Sequence, residues 1–149
     1  MMEDYALIIV PLTCGLLAQF VKFIIFSLKH GLDWRFLLEY GHMPSSHTAM
    51  MSALICSIAY RDGVESSAFA VALIITVLVV SDAMRLRMYI GSYGRTLNNL
   101  LDHLRIEEDQ DSYKLKERVG HRPMEILAGI FLGTFCSMVL NRLIDLLAF

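Results

Sequence analysis

The stretch YALIIVPLTCGLLAQFVKFIIFSL, Tyr5 to Leu28, decides the fold. It carries a single charge, Lys22, close to its end. As a helix rising 1.5 Å per residue, it is long enough to cross the ~30 Å hydrocarbon core of a bilayer. A secretory signal would begin with basic residues and end in a small-residue cleavage pattern. Met1-Met2-Glu3-Asp4 is acidic and no such pattern follows, so the segment reads as a retained transmembrane helix.

Three further apolar blocks follow: about Ser46 to Tyr60, Ser66 to Met84, and Met124 to Phe149. The second reaches only ~22 Å as a helix. It is therefore expected to start below the membrane surface, in a recess lined by protein. With 56% hydrophobic and 19% charged residues and a mean hydropathy of +0.53, the 149-residue chain is too apolar for an ordinary soluble domain. No basic stripe of the kind that binds nucleic acid is present. Cys14, Cys56 and Cys136 each lie inside an apolar block and read as small buried hydrophobes, without disulfide or metal-site spacing.

The expected fold is all-α: an integral membrane helical bundle of about four membrane helices plus a short amphipathic interfacial helix, in one domain over residues 1–149. The interfacial helix is expected near residues 95–105, where Leu97, Leu100, Leu101 and Leu104 recur at helical spacing. Gly129 and Gly133 form a G-x-x-x-G pattern that suits either close helix packing or the seam of a homodimer. Four alternating spans put Lys29 to Arg35 on the same side as the long basic segment after Met84. The positive-inside rule sets that side in the cytoplasm, as for a protein of the bacterial inner membrane.

This topology collects polar groups at one membrane face. Gly41-His42-Met43-Pro44-Ser45-Ser46-His47-Thr48-Ala49 opens the second block, His121 lies just before the fourth, Asp82, Arg85 and Arg87 end the third, and Lys22 and Lys29 end the first. Ionisable groups at membrane depth are costly and tend to mark function. A helix N-terminus presents N–H groups and a positive dipole end to an oxyanion. Phosphoryl transfer needs fixed cations and donors around the equatorial oxygens. Lys22, Lys29 and Arg87 are candidate cations, and Ser45 and Ser46 candidate donors. Two histidines, His47 and His121, can divide the work of nucleophile and proton donor. Glu125 stands four residues after His121, on the same helical face, where a carboxylate can hold an imidazole tautomer or simply stabilise the first turn beside Pro123. Asp82 reads as an orienting partner for Arg85 or Arg87.

These residues carry a family resemblance. Gln19-x-x-Lys22, Met43-Pro44-Ser45-Ser46-His47-Thr48-Ala49, Asp82-Ala83 with Arg87 and Gly91, Leu97-Asn98, and Gly120-His121-x-Pro123-x-Glu125 with Gly129 together resemble the divergent branch of the type-2 phosphatidic acid phosphatase superfamily, related to vanadium haloperoxidases. Lys22-x6-Lys29-His30 is similar to the superfamily's K-x6-R-P pattern. Pro44-Ser45-Ser46-His47 is similar to P-S-G-H, with Ser46 for glycine, and His121-x3-Glu125 to the end of S-R-x5-H-x3-D, with Leu115 in the arginine register. The resemblance implies a metal-independent phosphatase acting on a phosphorylated membrane lipid, with His121 as nucleophile, His47 as acid to the leaving alkoxide and Lys22 on the phosphate. No cofactor is expected. Two other readings stay open: a non-catalytic protein that binds or transports phospholipid or another anion, and a metal hydrolase built on His42, His47, Asp82, His121 and Glu125.

Overall fold

The computed structural model describes residues 5–31, 43–104, 115 and 123–147, without the side chains of residues 29, 30, 83 and 85–88. Among these residues the chain is all-α, with helices α1 (Ala6–His30), α2 (Ser46–Arg61), α3 (Ser67–His103) and α4 (Pro123–Leu147).

Every fourth residue of α1 turns inward. Ala6, Val10, Cys14, Ala18 and Lys22 are all at most 8% exposed. The same spacing runs down α4 through Glu125, Gly129, Gly133, Ser137 and Asn141, and down α2 through Ser45, Ala49, Ala53 and Ser57. Residues four apart share one helix face, so each helix buries a narrow stripe. Apart from Val10, Lys22, Glu125 and Asn141, the stripes are built of small side chains, which let helix backbones approach closely where lipid replaces water as the solvent.

The outer faces are the reverse. Leu12, Leu16, Phe20 and Leu28 of α1 and Phe131, Phe135 and Leu146 of α4 are exposed. So much contiguous apolar surface suits lipid and not water. Helices α1, over Ala6–Leu28, and α4 are long and apolar enough to cross a membrane. The apolar part of α3 is shorter, Ser67–Asp82, and α2 has 16 residues, matching the expected short span.

The most extensive pairing is α2 with α4, and it is parallel. Going down α4, Gly129 lies over Ser45 and Thr48, and Gly133 over Ala49. Next, Ser137 Oγ donates to Ala53 O (3.1 Å) and shares a hydrogen bond with Ser57 Oγ (2.9 Å). Asn141 Nδ2 then donates to Ser57 Oγ (3.0 Å), and its Oδ1 accepts from Arg61 Nε (2.9 Å). Last, Asp145 accepts from Tyr60 Oη (2.6 Å) and pairs with Arg61 (3.4 Å). Partner numbers rise together, so both helices start at the same end of the bundle. The glycine pattern is thus occupied inside the chain: the close-packing reading of Gly129 and Gly133 holds, with α2 covering the face a dimer seam would need.

Helix α1 runs the other way. Gly15 faces Met50, while Ala6 and Val10 cluster with Ile144 near the end of α4. It stops at Gly31, whose φ of 87° lies in the left-handed region and whose N–H reaches Ser27 O (3.0 Å). A turn through Gly63, φ 84°, connects α2 to α3. Ser66 closes this turn onto Gly63 O and caps α3 by accepting from Phe69 N (3.1 Å).

One expectation is corrected. The amphipathic segment near residues 95–105 is not a separate interfacial helix; through His103 it continues α3, which has 37 residues. No proline stands between Met84 and Arg95 to end the helix, and Gly91 and Gly94 weaken it by only ~1 kcal/mol each. At ~55 Å, α3 is longer than the hydrocarbon core is thick.

Candidate functional site

The start of α2 sits on the first turn of α4. Ser45 N donates to the Glu125 carbonyl at 3.1 Å. The approach is possible because Gly129 has no side chain: a Cβ there would lie 2.6 Å from Ser45 O and 3.1 Å from Thr48 Cβ. One contact thus joins two sequence patterns 80 residues apart, Pro44-Ser45-Ser46-His47 and Pro123-x-Glu125.

Ser45 is the N-cap of α2. Its Oγ accepts from Thr48 N (3.4 Å) and Thr48 Oγ1 (2.9 Å), and the residue is fully buried. It therefore holds the helix start in place more directly than it could reach a ligand. Ser46 is half-buried and His47 exposed, both in the first turn, where N–H groups point out of the helix end. Pro123 opens α4, the position where a missing N–H and a fixed φ suit a helix best, and Glu125 follows in the first turn.

From α1, Gln19 reaches the same end. Leu12, Gly15, Leu16 and Gln19 face Ser46, His47 and Met50 across an open, largely apolar groove of about 270 Å³. Lys22, one turn beyond Gln19, is 8% exposed, and Glu125 is 8% exposed on α4. A cation and a carboxylate at this burial are held by partners, since an isolated buried charge is prohibitively costly; each takes part in a polar or electrostatic interaction.

Thus Lys22, Ser45, Ser46, His47 and Glu125 lie toward one end of the α1–α2–α4 bundle. Asp82 of α3 is exposed. Lys29 ends α1 and Arg87 lies within α3, but their side chains, like that of Arg85, are outside the described set. His121 lies outside the described residues, two positions before Pro123. Among the described residues no three His, Cys, Asp or Glu side chains gather to hold a metal ion; His42 and His121, which a metal site would also draw on, are outside them.

The opposite end carries polar chemistry that the sequence reading passed over. Ser57, Ser137 and Asn141, each at most 1% exposed, form a closed network completed by Arg61. Its signal was present as serine and asparagine at four-residue steps inside apolar blocks. Asn98 of α3 has a partner that residue identity does not mark. Its Nδ2 donates to Leu115 O (2.9 Å) and its Oδ1 accepts from Leu115 N (3.0 Å).

No solved structure matches this chain. A membrane protein of Bacillus subtilis described as uncharacterized, YuiD, is 34% identical over 135 residues, covering 83% of this chain and 85% of the relative. Residues 3–136 match the divergent PAP2 family. With the paired helix starts, the buried Lys22 and a match across nearly the whole sequence, the chain is a membrane protein that belongs to the divergent PAP2 family.

Proposed function

We propose that this protein is a membrane-embedded, metal-independent lipid phosphatase, a single phosphatase-like domain that hydrolyses a phosphomonoester or diphosphate of a membrane lipid. The observation that carries the reading is the hydrogen bond from Ser45 N to Glu125 O, which brings the helix start bearing His47 against the helix start that follows His121. The open apolar groove that Gln19, Ser46 and His47 also line supports a lipid as substrate, because hydrocarbon and phosphate could be held side by side.

In this reading Lys22, with Lys29, Arg87 and Ser46, neutralises the phosphoryl oxygens, and Ser45 fixes the N-terminus that offers its N–H groups. A neutral imidazole nitrogen of His121 attacks phosphorus. The P–O bond to the rest of the lipid breaks, and His47 gives its proton to the departing oxygen, that of an alkoxide from a monoester or of a lipid phosphate from a diphosphate. Water, losing a proton to His47, then cleaves the phosphohistidine and releases inorganic phosphate. Glu125 holds the His121 tautomer, and Asp82 orients an arginine of α3. The site faces the cytoplasm of a bacterial inner membrane, which favours phosphatidylglycerophosphate- or phosphatidate-type lipids or a polyprenyl diphosphate.

The test is phosphate release from a panel of these lipids by purified protein in mixed micelles, with and without EDTA. Turnover should survive EDTA and vanish in His121→Ala and His47→Ala. Equal turnover by wild type and His121→Ala refutes the phosphatase. Leu115 in the register of the superfamily's arginine favours one other reading, phospholipid or anion binding without hydrolysis. That reading requires saturable lipid binding, unchanged in His47→Ala, and no phosphate release by the wild type.

A further inference from the structure

The part of α3 beyond the membrane has three distinct faces. The helix begins at Ser67, and the ~20 residues that cross a bilayer core bring it to about position 86. It then runs on to Leu104 for about five more turns. One face carries Gly91, Gly94, Asn98 and Leu101. Both glycines are buried, the other two are half-buried, and Asn98 holds Leu115 there. A second face carries Ser92, Arg95, Thr96, Asn99, Asp102 and His103, all exposed. The third carries Ile90, Tyr93, Leu97, Leu100 and Leu104, between 47 and 65% exposed although every one is large and apolar.

That third face has the form of a seam. Its members recur at steps of three, four, three and four, which are the a and d positions of a heptad repeat. A period of 3.5 keeps such a stripe against one partner helix as the two wind around each other. The flanks of the stripe are free of charge: Gly94 and Leu101 lie on one side, Tyr89, Thr96 and His103 on the other. Arg95 and Asp102 occupy the position turned furthest from the seam. Two identical stripes can therefore meet without like charges opposing each other.

The bilayer supplies the orientation. Two copies inserted in the same sense send α3 out of the same membrane face in the same direction, so the stripes meet in parallel, a against a and d against d. That is an isologous contact about a two-fold axis along the membrane normal. Sharing a plane and a direction also removes part of the orientational cost of association, which suits a seam of only two heptads. The membrane surface is the rival cover for this stripe, and the polar face argues against it. Helices that lie on a bilayer are rich in Lys and Arg on their polar side, whereas this one offers one arginine balanced by one aspartate. The seam is also separate from Gly129 and Gly133, whose face α2 fills.

We propose that two copies of this protein pair through Ile90, Tyr93, Leu97, Leu100 and Leu104, forming a short parallel coiled coil just outside the bilayer. The contact is an interaction surface of its own and requires nothing of the phosphatase reading.

The experiment uses the full-length protein. In liposomes under copper-phenanthroline oxidation, Leu97→Cys should give a disulfide-linked dimer at least tenfold more abundant than Asn99→Cys, which sits on the polar face, with wild type reporting the background of the three native cysteines. By native mass spectrometry from detergent, the wild type should be a dimer. Leu97→Glu/Leu100→Glu should be a monomer, its association weakened on the order of a hundredfold. Both leucines are exposed in the single chain, so this variant should keep the wild-type circular dichroism and Tm. If it unfolds, the two cysteine variants decide alone. A monomeric wild type, a dimer that survives in the folded double variant, or equal crosslinking at positions 97 and 99 overturns the proposal. In the monomeric case, a spin label at position 97 relaxed by membrane-dissolved oxygen would assign the stripe to the bilayer instead. None of these measurements involves phosphate release, so this proposal and the phosphatase stand or fall separately.

Discussion

Replacing Gly133 by alanine tests the parallel seam most directly. A Cβ at that position would run into the Ala49 carbonyl oxygen and lie 2.8 Å from both Ala49 C and Cα. These are backbone atoms in the first turn of α2 and cannot swing aside, so the two helices must part. Overpacking of this kind costs about 3 kcal/mol, the upper part of the usual range, because separation also thins the dispersion contacts along the seam. Alanine returns ~1 kcal/mol through its better helix propensity. The net loss is about 2 kcal/mol, and at this chain length it lowers Tm by roughly 4–8 °C. The comparison variant is Gly15→Ala. Its new Cβ meets only the Met50 side chain, nearest at 3.3 Å, which can rotate away, so this change should be neutral or stabilise by up to ~1 kcal/mol. Thermal unfolding of both variants in one detergent, followed by circular dichroism, is the assay. Equal Tm for Gly133→Ala and Gly15→Ala, or a wild-type Tm for Gly133→Ala, would show that the backbones are not in contact as described.

Other consequences can be checked in the same assay. Ser45→Ala removes the cap on which the start of α2 depends and should cost about 1–2 kcal/mol. Asn141→Leu strips Ser57 and Arg61 of a buried partner and should cost about 3 kcal/mol, more than truncation of any exposed leucine on α4. Asp145→Asn should change stability by less than ~1 kcal/mol, because the Arg61–Asp145 pair is partly open to solvent and the amide oxygen can still accept from Tyr60.

The spans were legible because hydropathy alone marks them: Tyr5–Leu28 and Met124–Phe149 correspond to α1 and α4 within a few residues. Alternating direction is a counting argument, and it brings the ends of the first and third blocks (Lys22, Lys29; Asp82, Arg85, Arg87) and the starts of the second and fourth (His47, His121) to one face. Of these, Lys22 and His47 lie at that end of the bundle, Asp82 is exposed, and His121 is outside the described residues. The pairing of α2 with α4 was not legible. It depends on which stripe faces which, and four-residue spacing marks a buried stripe without naming its partner. For the same reason Gly129 and Gly133 left packing and dimer readings open, and Ser57, Ser137 and Asn141 looked like scattered polar residues in apolar helices. The long α3 was misread as two elements because composition changes at Asp82, whereas the helix itself, lacking a proline, does not break there. Asn98 could not be assigned from sequence at all. Its partner is backbone, which leaves no trace in residue identity at position 115.

The parallel seam also sets a timetable. Ser57 and Ser137, which share a hydrogen bond, are 80 residues apart. At about 5–20 residues per second, roughly 4–16 s of translation separate the two. Throughout that interval α2 has α1 and, once made, α3 as neighbours but no α4, and Ser57 and the Ser45 amide await their α4 partners. Helix α4 is the one that settles α2, so the seam between them closes only after a delay set by the spacing of these residues. A ribosome halted before position 137 would leave an insertion intermediate with its polar seam still open to the bilayer.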